Sequence, residues 1–163
     1  MTHADDLEEL HNCCMDGDLE GVKRWHQGGM SLDEMDEDGQ VALHHACQGT
    51  SVQVVEYVLH YSLPKTVGLK DKYDISPFHI ACENGTLPIV QLLAERDDFN
   101  PDMRRNSACF MAARHEHLDV VEYLVGPKEA ARQRAIADAQ NHQGSKNSAR
   151  SDSVSNSRSC KLM

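Results

Sequence analysis

The sequence predicts an all-α fold, a solenoid of four helix-turn-helix repeats followed by a polar tail. The first observation behind this is self-similarity. The stretches VALHHACQGTSVQVVEYVL (41–59), SPFHIACENGTLPIVQLLA (76–94) and SACFMAARHEHLDVVEYLV (107–125) align on one another, and a fainter copy, EELHNCCMDGDLEGVKRWH, covers 8–26. The apolar residue that opens the second helix of each copy is Leu19, Val52, Leu87 and Leu118 in turn, giving spacings of 33, 35 and 31 residues. Such a period marks stacked units of two short helices each. The second observation is composition. The 163 residues are 40% apolar but only 5% aromatic, so a core must be built from aliphatic side chains. The third is helix punctuation, which recurs at matching points of the copies.

The repeats are placed at about 5–37, 38–72, 73–103 and 104–126, in a domain spanning 1–126. The first copy opens on Glu8-Glu9 and is polar, as a terminal unit should be. Its second helix carries Trp25, expected to pack against that copy. The third copy shows the local physics most clearly. Ser76 can accept from the first free N–H groups of a helix. Pro77 then occupies the first helical position, where its missing N–H costs nothing. Ala81 and Cys82 are small enough for another helix to approach. Gly85 allows the turn that ends the helix, and Leu87, Ile89, Val90, Leu92 and Leu93 give the apolar face of the next. Each pair leaves one face open until the next copy stacks on it, so stability is shared along the array.

Two places depart from the pattern. The join from Ser62 to Asp74 carries two extra residues and Pro64, which predicts a longer loop. In the fourth copy Glu116 stands where Gly is expected and Cys109 where Leu is expected, so this copy should be the least stable. Gly126-Pro127 is a stop signal. Residues 127–140, containing KEAARQRAIADAQ, are expected to form a short capping helix. Residues 141–163 hold seven Ser and almost no apolar residues, and are expected to be disordered.

Charge and cysteine usage narrow the function classes. Residues 1–125 carry 9 Lys+Arg against 23 Asp+Glu, a net of −14, whereas 126–163 carry 7 against 3, a net of +4. An acidic body argues against nucleic acid as a partner. No apolar run approaches the roughly 20 residues of a membrane span, and the acidic start is unlike a secretory signal. The six cysteines, at 13, 14, 47, 82, 109 and 160, do not form a compact disulfide framework and read as free thiols in the cytoplasm. His44-His45-x-Cys47, His79-x-x-Cys82 and His115-Glu116-His117 lack the paired spacing of a closed zinc site. Cys and His recur with the repeat, as scaffold residues do. There is no phosphate-binding glycine loop and no nucleophile with a base and an orienting third group. The expectation is a non-enzymatic chain with no catalytic residue, no cofactor and no metal.

The repeated Ser-Pro-Phe-His-Ile-Ala-Cys type of opening, with Gly and Leu following, resembles the ankyrin repeat family over residues about 5 to 126. His11, His44 and His79 match its structural histidine, while Phe110 replaces it in the last copy. Cys14, Cys47 and Cys82 match its small-residue position. The resemblance implies an ankyrin-repeat solenoid with short hairpin loops that binds another protein. The implied contact residues are Glu37, Asp38, Gln40, Lys72, Tyr73, Ile75, Met103, Arg104 and Asn106 at the hairpin tips, and Gln48, Glu83, Asn84, Arg114 and His115 at the helix ends. That surface would run from acidic, Asp33 to Asp38, to basic, Arg104-Arg105.

The last four residues, Cys160-Lys161-Leu162-Met163, fit a prenylation box with Cys160 as acceptor and Met163 selecting farnesyl. This implies a prenyltransferase as partner and weak attachment to intracellular membranes, since one such chain anchors only marginally. The basic tail would support it. Phosphorylation at Ser151, Ser153 or Ser159 would oppose it by adding about −1.5 to −2 charge. The expected function is a membrane-tethered adaptor. Two alternatives stay open: a soluble inhibitor of an enzyme, as in the four-repeat cyclin-dependent kinase inhibitors, and a bacterial ankyrin effector that uses host prenylation.

Overall fold

Short helices punctuated by polar caps follow one another along the chain. The computed structural model describes residues 3–96 and 107–126. They form α1 (His3–Asp16), α2 (Leu19–Gln27), α3 (Ala42–Gln48), α4 (Val52–Tyr61), a 3-10 helix (Thr66–Gly68), α5 (Pro77–Glu83), α6 (Leu87–Ala94), α7 (Ser107–Arg114) and α8 (Leu118–Val125). No strand occurs among the described residues. The first helices pack in a row, α1 on α3, α3 on α5 and α5 on α7; the second helices form a parallel row, α2 on α4, α4 on α6 and α6 on α8. The fold is the all-helical repeat solenoid that the spacings predicted. The predicted capping helix over 127–140 and the Ser-rich tail lie outside the described residues.

The caps explain where helices start. Asp18 Oδ1 accepts from the Gly21 N–H at 3.0 Å, and Ser51 Oγ from the Val54 N–H at 3.4 Å. In α3 and α5 a histidine three residues into the helix reaches back instead. His44 Nδ1 accepts from the Val41 N–H at 3.2 Å, and His79 Nδ1 from the Ser76 N–H at 3.4 Å. This is the role that Glu or Gln plays in a capping box. An accepting Nδ1 places the proton on Nε2, and His79 Nε2 then lies 2.6 Å from Ser107 Oγ in the next repeat. Burial pushes the pKa of both rings below the ordinary histidine value, which keeps them neutral and able to donate and accept at once.

The core runs the length of the stack. Leu10, Leu43 and Phe78 occupy one equivalent position on the first helices and are fully buried, as is Cys109 to within 2%. Cys14, Cys47 and Cys82 share another and are fully buried free thiols. Loss of water pushes the Cys14 and Cys82 thiols up to about 12. Val54, Val55 and Val58 on α4 and Ile89, Val90 and Leu93 on α6 close the other side. Trp25 is half-buried against this core, as expected.

The turns between paired helices differ more than the sequence suggested. Gly17 and Gly85 take the left-handed conformation, with φ of +79° and +68°. A Cβ on Gly85 would sit 2.2 Å from the His117 ring, so both the angle and the space require glycine. Glu116 is forced into the same conformation at φ +62°, where a side chain costs roughly 1 kcal/mol. Glu116→Gly is therefore expected to stabilise the array by about that amount, read as a higher thermal midpoint; a lower one would contradict the strain. The second repeat departs from the others. Thr50 stands at this position with no positive φ, and Gly49 before it is extended at φ −76° and ψ 179°.

The join between the second and third repeats is ordered by the 3-10 helix, which brings Val67 into the core at 2% exposure. Asp33 fixes it from the preceding repeat: its carboxylate accepts from the Leu63 N–H at 3.1 Å and from the Thr66 hydroxyl at 3.0 Å.

Candidate functional site

Two loops of the same construction project from the first-helix side. In the first, Asp36 Oδ1 accepts from the N–H groups of Asp38 and Gln40, each at 2.9 Å. In the second, Asp71 Oδ1 accepts from those of Tyr73 and Ile75, each at 2.9 Å. A short polar side chain thus holds each tip by bonding its own backbone ahead. Gly39 and Asp74 supply the left-handed residue at the two tips, with φ of +76° and +66°. The tips join through a main-chain bond from the Lys72 N–H to the Asp38 carbonyl at 2.9 Å, and the Lys72 ammonium pairs with the Asp38 carboxylate. The same ammonium lies 5.1 Å from the centre of the Tyr73 ring, within range of a cation–π attraction.

Polar contacts continue from the tips along the helix ends. The Gln40 side-chain amide donates to Asp71 Oδ2 at 2.8 Å, and that of Gln48 donates to Gln40 Oε1 at 3.4 Å. The Asn84 amide donates to the carbonyls of Cys47 and Gln48, both at 3.2 Å. Glu83 faces His115 Nε2 at 3.3 Å. The sequence-predicted residues Asp38, Gln40, Gln48, Lys72, Tyr73, Glu83, Asn84 and His115 therefore form one cross-repeat strip. Glu37 and Arg114 are exposed. Ile75 differs from its neighbours: it is half-buried against the core. Met103, Arg104 and Asn106, with Arg105, lie outside the described residues, as do Cys160, Ser151, Ser153 and Ser159.

The acidic end of the strip differs from a plain charged patch. Asp33 and Asp36 are engaged within the fold, and Glu34 bonds His3 Nε2 at 2.6 Å. Large apolar side chains are exposed as well: Phe110 at 67% and the predicted contact residue Tyr73 at 64%, together with Met35 at 53%, which the sequence did not single out. Phe110 was legible from the repeat alignment. It stands at the position of His44 and His79, which faces the following repeat, and no following repeat exists among the described residues.

One side-chain cluster joins three separate elements beneath the first tip. Asp36 Oδ2 lies 3.0 Å from His45 Nε2 on α3 and 3.7 Å from His11 Nδ1 on α1. The His11 and His45 rings stack with centroids 4.3 Å apart and planes 21° from parallel. Burial, and secondarily the neighbouring His45, pushes His11 down to about 4. Its Nε2 is buried without a hydrogen-bond partner. Spacing in the sequence gives no hint of this cluster, because its members are brought together only by stacking.

Models of ankyrin repeats match the chain over 10–59 and 59–135. Similar proteins include one named "Probable 26S proteasome regulatory subunit p28" from Saccharomyces cerevisiae, 29% identical over 71% of this chain and 54% of its own length. Transient receptor potential cation channel subfamily A member 1 of Drosophila melanogaster is 30% identical over 66% of this chain and 10% of the channel. Protein phosphatase 1 regulatory subunit 27 of Mus musculus is 33% identical over 53% of this chain and 58% of that protein. The chain thus spans about half the length of the proteasome-named relative and a tenth of the channel. Repeat period, helix rows and family match agree: the chain belongs to the ankyrin repeat family.

Proposed function

We propose that this chain is an adaptor that holds a partner protein against the strip formed by the loop tips and first-helix ends. The carrying observation is the continuity of that strip. Exposed Tyr73 sits beside the Asp38–Lys72 pair, and the Gln48–Asn84 contacts lead on to Glu83 and His115. Apolar side chains surrounded by a polar rim are what protein interfaces use. A photocrosslinking amino acid placed at Tyr73 should capture a discrete partner in cells, whereas one at Tyr61, on α4 in the other helix row, should not. Tyr73→Ala should weaken the same partner about tenfold or more. Equal capture from both positions would refute the assignment of this face.

The proposal extends to localisation. The sequence Cys160-Lys161-Leu162-Met163 supports farnesylation of Cys160 by a prenyltransferase and weak attachment to intracellular membranes, aided by the net +4 of residues 126–163. Intact mass from eukaryotic cells should show one farnesyl increment, and Cys160→Ser should move the chain from the membrane fraction to the cytosol. An unmodified mass, with both forms in the cytosol, overturns the tether and leaves the binding strip standing.

A further inference from the structure

The geometry points to a divalent transition-metal site of the zinc class, formed by His11, Asp36 and His45 at the junction of the first two repeats. The repeat itself separates scaffold from surplus. Asp36 and Asp71 do the same structural work through Oδ1, each holding two backbone N–H groups. Their second oxygens differ. Asp71 Oδ2 takes the Gln40 amide, whereas Asp36 Oδ2 is aimed between two imidazoles. His45 has no counterpart in the other copies, where its place is taken by Asn12, Ile80 and Met111. The second loop is built without it, so loop construction does not explain the histidine.

The donor set fits such an ion. Two imidazoles and a carboxylate suit zinc and its neighbours, and oxygen-seeking calcium and magnesium less well. One ligand atom from each residue lies within 4.8 Å of the others. Bonds of about 2.0–2.1 Å in a tetrahedron place ligand atoms roughly 3.3–3.4 Å apart. The observed 3.0 and 3.7 Å separations from Asp36 Oδ2 bracket that value. Asp36 is already oriented by its two backbone donors, the outer support that metal-binding carboxylates need. His11 is 4% exposed, and the nitrogen it turns toward Asp36 is Nδ1. The rings now stack, so binding requires the His45 ring to turn about its Cβ–Cγ bond until both rings face one point. Water fills the fourth position. The ion ties α1, the first loop and α3 together and braces the terminal repeat.

The test uses the untagged full-length chain, freed of metal with a chelator and titrated with Zn²⁺. One equivalent should bind, and a roughly hundredfold excess over Kd should raise the thermal midpoint by about 5 °C or more. His45→Ile installs the residue that the third repeat carries at this position, so the variant should fold; it should lose at least about tenfold in affinity. On the unaltered chain, histidine ring NMR signals of His11 and His45 should shift at one equivalent while those of His115 stay. Static His11 and His45 signals overturn the site. So does zinc affinity in His45→Ile equal to that of the parent, which would place the ion on thiols or other histidines.

Discussion

Phe78→Ala is expected to destabilise the array by about 3–5 kcal/mol. Phe78 is the largest of the fully buried side chains and opens α5 in the middle of the stack, between α3 and α7. Truncation removes most of an aromatic ring from a site walled by two other repeats, where neither neighbour can collapse without losing its own contacts. The equivalent residues Leu10 and Leu43 show that an aliphatic side chain satisfies this position. Phe78→Leu should therefore cost less than about 1.5 kcal/mol. Urea unfolding of the two variants checks both values. An alanine variant within 1 kcal/mol of the parent would mean that the central repeat is not packed as described. Because each repeat is stabilised chiefly by its neighbours, the alanine variant should also uncouple the two halves and broaden the transition.

Gly49→Ala is expected to cost about 2–3 kcal/mol, an overpacking effect with no conformational component. The residue is extended and any amino acid could adopt its angles. What forbids a side chain is space: a Cβ there would lie 2.4 Å from the Met15 carbonyl oxygen and 3.3 Å from that of Cys14. Both are backbone atoms at the end of α1, so relief requires the first repeat to move away from the second. A melting temperature unchanged from the parent would show that α1 does not approach as closely as described. The comparison with Gly85→Ala is informative, since that variant also meets a left-handed backbone and a histidine ring.

Gly49 shows where the sequence stopped being sufficient. The spacing of Leu19, Val52, Leu87 and Leu118 determined the number of helix pairs and their order, because a period is a property of the chain alone. The left-handed turn was also legible at Gly85 and, by alignment, at Glu116. Gly49 is required by a contact with another repeat, and contacts are not written locally. The proposed strip divided in the same way. Its members followed from repeat position, but the engagement of Asp33 by Leu63 and Thr66, and the burial of Ile75, depend on what the next loop brings. His11 was legible as a scaffold histidine by its repeat position, but only the stack makes Asp36 and His45 its neighbours.

The row of buried cysteines has a kinetic consequence. Cys14, Cys47 and Cys82 stand at one equivalent position in three successive repeats, and a thiol walled off from water reacts only when its own repeat opens. The chain therefore carries a clock in each of its first three units. Timed alkylation under native conditions, read by peptide mass, would give the order in which the repeats breathe without any substitution in the chain. A gradient of rates along the chain would locate the end from which the array frays, whereas one common rate would mean that it opens only as a whole.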